Sequence, residues 1–198
     1  DDTIYGGAGN DSILGGSDAD TLYGEAGNDI IKGESGEDSI YGGEGDDTIS
    51  GGDGTDVIYG DDSLNSSTNA GNDTLYGNDG SDKLFGGYGN DTLIGGANSD
   101  SLYGGEGTDT VDYSTTANSV TVNLANQTAN AGADGDDELN SIENAIGSKY
   151  DDTFISNFNE SNVFDGNEGS ETSGDSISYE AITVTNAITD KVVVNLST

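Results

Sequence analysis

Aspartate recurs at a fixed interval along the first half of the chain, and its carboxylate is the group there that could do chemistry. The interval is nine residues from Asp2 to Asp56. Because the chain has no Cys and no His, it lacks thiolate and imidazole ligands and the commonest general base. Oxygen ligands remain, and hard cations such as Ca²⁺ favour them. The pattern therefore predicts that the chain binds hard cations.

The charge balance agrees with bound cations. The chain has 198 residues, only four Lys and Arg, and a formal net charge of −35. Such a charge ordinarily favours disorder, because like charges repel and large apolar residues are few. The acidic groups here keep fixed offsets instead, which indicates an ordered chain whose charge is neutralised by cations. The sign of the charge disfavours nucleic acid as a partner.

Residues 42–50 (GGEGDDTIS) represent the unit that carries the aspartates. We number its positions one to nine, with glycine at one and four, often glycine at two, aspartate at six and an aliphatic residue at eight. Glycine suits a tight turn that needs positive φ, and a lone apolar residue between polar ones is typical of a very short strand. Each unit is therefore predicted to be a turn followed by a strand.

The position-six aspartates of residues 1–112 are the candidate metal ligands. They are Asp2, Asp11, Asp20, Asp29, Asp38, Asp47, Asp56, Asp73, Asp82, Asp91, Asp100 and Asp109. A polar insertion at residues 63–70 interrupts one unit, and such an insertion is expected to form a loop on one face of a repeat array. The alternative is that these are solvated turn aspartates, which are common. Turn chemistry alone, however, does not require aspartate at one offset in every unit.

The pattern G-G-x-G-x-D-x-U-x, where U is aliphatic, makes residues 1–112 resemble the RTX, or haemolysin-type calcium-binding, repeats of secreted bacterial proteins. This resemblance implies an all-β fold, a parallel β-roll with two nonapeptides in each coil. It also implies that Ca²⁺ lies between a turn and the turn eighteen residues along. Loop carbonyls and the position-six carboxylates would be its ligands.

Two nonapeptides per coil divide the aspartates into two stacks. The even stack is Asp2, Asp20, Asp38, Asp56, Asp82 and Asp100, and the odd stack is Asp11, Asp29, Asp47, Asp73, Asp91 and Asp109. Sites between neighbours number roughly five in each stack, so about ten Ca²⁺ are expected.

Residues 113–198 are predicted to continue the solenoid in a degenerate form with wider coils. Asp137, Asp152 and Asp175 are further candidate metal ligands, although they do not fall in one unbroken register. Strand-like segments at residues 120–124 and 192–196 each follow a similar motif, which indicates a second, longer repeat. This part resembles the segments that follow the regular roll in RTX adhesins and in some secreted enzymes.

Position nine points outward and is aromatic in every coil on one face of the predicted roll. We call these residues the aromatic ladder: Tyr5, Tyr23, Tyr41, Tyr59, Phe85 and Tyr103. Aromatic residues favour strands, so the ladder could simply stiffen a sheet. A contiguous exposed aromatic strip can also mark an interaction site, here for a second copy or for another surface protein.

No arrangement of catalytic groups is evident, since triads and zinc-protease motifs need His or Cys, and we expect no enzymatic activity. No apolar run is long enough to span a membrane, and we find no leader. The chain begins inside a repeat, and we expect it to be a module of a larger protein. Two functions remain open: a calcium-binding structural or adhesive module of a secreted or cell-surface bacterial protein, or the carboxy-terminal export and folding domain of a secreted enzyme or toxin.

Overall fold

A computed structural model describes residues 1–61, 71–156, 162–167, 175–179 and 193–195. The predicted loop at residues 63–70 lies outside the described residues. The strands of the regular part are β1 (Thr3–Ala8), β2 (Ser12–Ser17), β3 (Thr21–Ala26), β4 (Ile30–Ser35), β5 (Ser39–Glu44), β6 (Thr48–Asp53), β7 (Val57–Tyr59), β8 (Thr74–Asp79), β9 (Lys83–Gly89), β10 (Thr92–Ala97), β11 (Ser101–Gly107) and β12 (Thr110–Asp112).

These twelve strands alternate between two parallel sheets, which confirms the β-roll. The odd-numbered strands β1 to β11 lie side by side in one sheet, and the even-numbered strands β2 to β12 lie in the other. Residues eighteen apart are paired, as Ile13 is with Ile31, so one coil holds two nonapeptides. The register survives the insertion, because Ile49 pairs with Leu75 in the same way.

Most strands are longer than a nonapeptide pattern suggests. A regular strand such as β6 covers six residues, from position seven of one unit to position three of the next. The position-eight side chains point between the two sheets, and those from Leu22 to Val111 are fully buried in one hydrophobic cluster. Each unit therefore contributes a single aliphatic side chain to a narrow core.

The aromatic ladder is formed as expected from the coil spacing. Neighbouring ring centroids are 4.7 to 4.9 Å apart and the ring planes are within 9° of parallel. Tyr5 at the end is 62% exposed, whereas the rings behind it are half-buried against each other. The stacking therefore runs along the outer surface of the first sheet from β1 to β11.

After β12 the solenoid continues irregularly. Its elements are β13 (Thr121–Asn123), β14 (Thr128–Asn130), a short 3-10 helix (Gly132–Asp134), β15 (Asp136–Asn140), β16 (Asn144–Ile146), β17 (Thr153–Ser156), β18 (Val163–Asp165), β19 (Ser176–Tyr179) and β20 (Val193–Asn195). Strands β15, β17 and β19 extend the first sheet, and β16, β18 and β20 extend the second.

The continuation contains an antiparallel hairpin rather than only wider parallel coils. Strand β14 is antiparallel to both β13 and β15, and β13 then pairs in parallel with β17. The hairpin turn includes Gln127 with φ of 54°, and no nonapeptide turn occurs there to send the chain to the opposite sheet. Val111 and Phe164 nevertheless belong to one buried cluster, and the division at residue 112 stays a prediction. Within the described residues, no helix is long and apolar enough to cross a membrane.

Replacing Gly54 with Ala should destabilise the roll more than replacing Gly9 with Ala. Both glycines hold position four with positive φ, 138° and 110°. That backbone strain costs about 1–2 kcal/mol for a residue with a side chain. A Cβ on Gly54 would also collide with the carbonyl oxygen of Gly36, whereas one on Gly9 meets nothing within 4 Å.

The collision should add about 1–3 kcal/mol to the loss. Thermal unfolding of both variants, followed by circular dichroism in saturating calcium, measures the difference. Equal losses in the two variants would show that neighbouring coils do not approach as closely as described.

Candidate metal centre

The position-six aspartates occupy the end of each turn, immediately before a strand begins. The even stack precedes strands of the first sheet and the odd stack precedes strands of the second. All members from Asp20 onward are almost completely buried, with at most 3% exposure. Asp2 and Asp11, in the terminal coil, are more accessible. The structure therefore brings the twelve aspartates together as two continuous rows.

One carboxylate oxygen of each aspartate from Asp20 onward joins neighbouring coils. The backbone N–H of Asp29 donates to Oδ1 of Asp47 at 2.7 Å, and the same bond recurs between all neighbours of both stacks at 2.6 to 2.9 Å. Across the insertion, Asp47 N–H donates to Asp73 and Asp56 N–H donates to Asp82, both at 2.8 Å. This bond fixes each side chain in one orientation.

The other carboxylate oxygen, Oδ2, has no partner. It is buried and accepts no hydrogen bond in Asp11 or in any later member of either stack. It faces the position-one glycine of its own turn and the position-one carbonyl of the next coil. A Cβ on Gly6, for example, would lie 2.9 Å from Oδ2 of Asp11 and 2.8 Å from the carbonyl oxygen of Gly24. Two oxygens therefore converge on a space that stays open because glycine has no side chain.

These oxygens fit a hard cation. Carboxylate and backbone carbonyl oxygens are the usual ligands of Ca²⁺, which needs six to eight of them. No three acidic side chains converge in one group among the described residues, so a site here would combine carboxylates with backbone carbonyls. A bound Ca²⁺ would supply the positive charge that the buried Oδ2 atoms lack. The number of sites stays a prediction.

Without a cation, the buried carboxylates are hard to ionise. Burial raises the pKa of Asp73 and Asp100 to about 8. It raises the pKa of Asp47 and Asp91 to about 7. The backbone hydrogen bond lowers each pKa, and the charges of neighbouring aspartates raise it further. At neutral pH the interior of the roll therefore opposes full ionisation of its own ligands.

The candidate ligands beyond residue 112 differ from one another. Asp137 extends the even stack, but Asp100 N–H donates to its Oδ1 at 2.9 Å and the Tyr113 hydroxyl donates to its Oδ2 at 2.7 Å. In Asp152, Oδ2 is buried and unpaired as in the stacks, but Oδ1 accepts the Val120 N–H at 2.7 Å and the Ser148 hydroxyl at 2.9 Å. Asp175 accepts the Asp152 N–H at 2.8 Å. A role in metal binding stays a prediction for all three residues.

Two acidic residues at these turns were missed by the repeat pattern. Glu143 accepts the Asp109 N–H at 2.9 Å and so continues the odd stack. The sequence does indicate this role, because Glu143 lies two residues before the inward Ala145 and four before Gly147. A position-six aspartate has the same spacings to position eight and to the glycine of the next unit. Asp61 is buried beside the odd stack, and its signal was the replacement of glycine at position two.

Replacing Asp47 with Ala should remove more bound calcium than replacing Asp2 with Ala. Asp47 is hydrogen-bonded to the coils on both sides, whereas Asp2 begins its stack and contacts one neighbour. An interior ligand of a repeat array serves the interfaces on both of its sides. Calorimetric titration of both variants measures the stoichiometry, and equal losses would contradict ligands shared between coils.

The RTX calcium-binding nonapeptide repeat matches this chain in four copies, at residues 1–31, 32–63, 67–93 and 85–115. No curated protein matches the chain. The matched residues make up more than half of the chain and coincide with the two rows of buried aspartates. The chain therefore belongs to the RTX calcium-binding nonapeptide repeat family and is a calcium-binding β-roll.

Proposed function

We propose that the chain is a structural or adhesive module of a large secreted or cell-surface bacterial protein, and that it folds when it meets extracellular calcium. The observation that carries this proposal is the buried, unpaired Oδ2 of every stacked aspartate after Asp2. No lysine of the described residues forms an ion pair with any of them. A cation from the medium is therefore the partner that the fold requires.

Folding and calcium binding are coupled in this proposal, because the ligands of one site come from two coils. In an unfolded chain the two coils are not held together, so the site does not exist. The free energy of binding then contributes directly to folding. Weak sites suffice in a calcium-rich medium, and a chain without calcium stays unfolded for export.

Removing calcium should abolish most of the β structure. Far-ultraviolet circular dichroism of the chain with calcium and with excess chelator measures this loss. Mg²⁺ at the same concentration should not restore the signal, because it requires a smaller and more strictly octahedral site. A chelated sample that keeps its full β signal would refute the coupling.

Acid provides a control for that experiment. The folded pKa values of Asp47 and Asp73, about 7 and 8, lie above the unfolded value of about 3.9. The stability gained by protonating them is fully present below the unfolded value and is lost as the pH rises through the folded values. The chelated chain should therefore regain part of its β signal when the pH falls from about 8 to about 5.

The alternative function, an export and folding domain of a secreted enzyme or toxin, uses the same sites. We favour the structural role because the chain has no His or Cys, and we propose that the module itself is not an enzyme. The residues that flank the module in its parent protein distinguish the two functions. A neighbouring catalytic domain would favour the alternative, whereas tandem repeats or a surface anchor would favour the structural role.

We further propose that the aromatic ladder is an assembly face. Replacing Tyr23, Tyr41 and Tyr59 with Ser should abolish self-association of the calcium-loaded chain, measured by analytical ultracentrifugation. A control variant carries Leu14→Ser and Tyr76→Ser, which change exposed position-nine side chains of the opposite sheet. This control should associate like the parent. A triple variant that associates equally well would leave the ladder with a purely structural role.

A further inference from the structure

The chain leaves the regular turn at Asp61, where the insertion begins. In the intact coils on either side, position two is a glycine with positive φ, 118° at Gly43 and 113° at Gly87. Asp61 holds the same position without positive φ, and β7 stops two residues earlier at Tyr59. At the insertion, an aspartate therefore occupies position two, where the neighbouring coils of the same sheet have glycine.

The side chain of Asp61 turns inward rather than toward solvent. Asp61 is only 7% exposed. Its Oδ2 lies against Gly87 and accepts the Tyr88 N–H at 2.6 Å. Its Oδ1 is buried and accepts no hydrogen bond of normal geometry, although the backbone N–H of Gly71 also acts on this carboxyl. This turn therefore holds a buried, unpaired carboxylate oxygen at position two, in addition to Oδ2 of Asp73 at position six.

Asp61 lies near the unpaired oxygens of the odd stack. A Cβ on Gly60, the preceding residue, would collide with Oδ2 of Asp73 and would lie 2.6 Å from the carbonyl oxygen of Gly86. The charge of Asp61 also acts on Asp47, Asp73 and Asp91. Among the described residues, no cationic side chain pairs with Asp61. Its burial therefore adds negative charge to a place that is already rich in it.

We propose that Asp61 is a calcium ligand at the insertion, where it joins Asp73 and the Gly86 carbonyl between the turns of Asp73 and Asp91. The proposal rests on calcium uptake by the repeats as described above. Glycine at position two can offer no side-chain ligand in the neighbouring coils. The site at the insertion therefore has one carboxylate more than the sites on either side of it.

The additional carboxylate makes this site the tightest of the odd stack. Calcium affinity in oxygen sites rises with the number of charged ligands. The site also takes ligands from both ends of the insertion, Asp61 before it and Asp73 after it, while the strands that follow its two turns, β8 and β10, pair across the usual 18 residues. A tightly bound ion at this point would connect the residues that flank the insertion.

Calcium release from the loaded chain tests the proposal. The chain is mixed with an excess of a fluorescent chelator in a stopped-flow instrument, and the amplitude of each release phase gives the number of ions. The parent should show a slow phase of about one equivalent. In Asp61→Asn, that ion should leave about tenfold faster, because the amide keeps an acceptor for Tyr88 but lacks the charge.

Glu25 provides the matched control. It holds position two of the same stack, but its side chain is exposed. Glu25→Gln removes the same charge and should keep the slow phase, as should Asp61→Glu, which keeps the charge at the site. Circular dichroism in saturating calcium confirms that each variant is folded.

The outcomes separate this proposal from the proposed function. If Asp61→Asn keeps the slow phase, Asp61 only caps the Tyr88 N–H and the proposal is wrong. If Asp61→Asn and Glu25→Gln lose it equally, the effect is one of general charge, and the proposal is again wrong. If the parent binds no calcium, the proposed function itself fails.

Discussion

The structure depends on carboxylate groups that are buried in rows and that no lysine of the described residues neutralises. Each row repeats at the spacing of neighbouring strands, where like charges repel strongly and water is excluded. The sequence provides only four basic residues to oppose 39 acidic ones. Burying anionic oxygens in this way opposes folding unless cations or protons offset their charge, and the raised pKa values of Asp73 and Asp100 express the same constraint.

The two oxygens of each stacked carboxylate have different roles, and this difference explains how the rows are built. Oδ1 accepts a backbone N–H from the adjacent coil and so holds the side chain still. Oδ2 is thereby directed to the open space beside the position-one glycine and a carbonyl oxygen of the next coil. Ligands fixed in advance lose little conformational freedom when an ion binds. The same hydrogen bond that stacks the coils thus prepares the metal centre.

The narrow core makes the roll unusually dependent on its turns. One aliphatic side chain from each nonapeptide is buried between the sheets, so the apolar area per residue is small. The ladder adds stacking outside the sheet, but it leaves the interior unchanged. Most of the remaining contacts between coils are backbone hydrogen bonds and the aspartate rows. Under the proposed coupling, cation binding at the turns contributes directly to the free energy of folding.

The sequence by itself determined the repeating unit and its position-six aspartates, and its resemblance to RTX repeats implied two nonapeptides in each coil and therefore the two stacks. The period of nine places the position-six aspartates and the position-eight aliphatic residues of residues 1–112 in similar surroundings, so one unit predicts the next. The ladder followed from the same period. Even the register across the insertion could be predicted, because the pattern resumes with Asp73 and Leu75.

Only the tertiary structure decided what happens where the period fails. Tyr113 donates to Oδ2 of Asp137, Glu143 continues the odd stack, and Asp61 turns inward beside Asp73. The antiparallel hairpin of β13 and β14 within the wider coils was likewise not predicted. These contacts join residues at separations that no repeat sets, such as 24 between Tyr113 and Asp137. A pattern predicts contacts between equivalent positions, whereas contacts between unlike positions depend on how the coils pack.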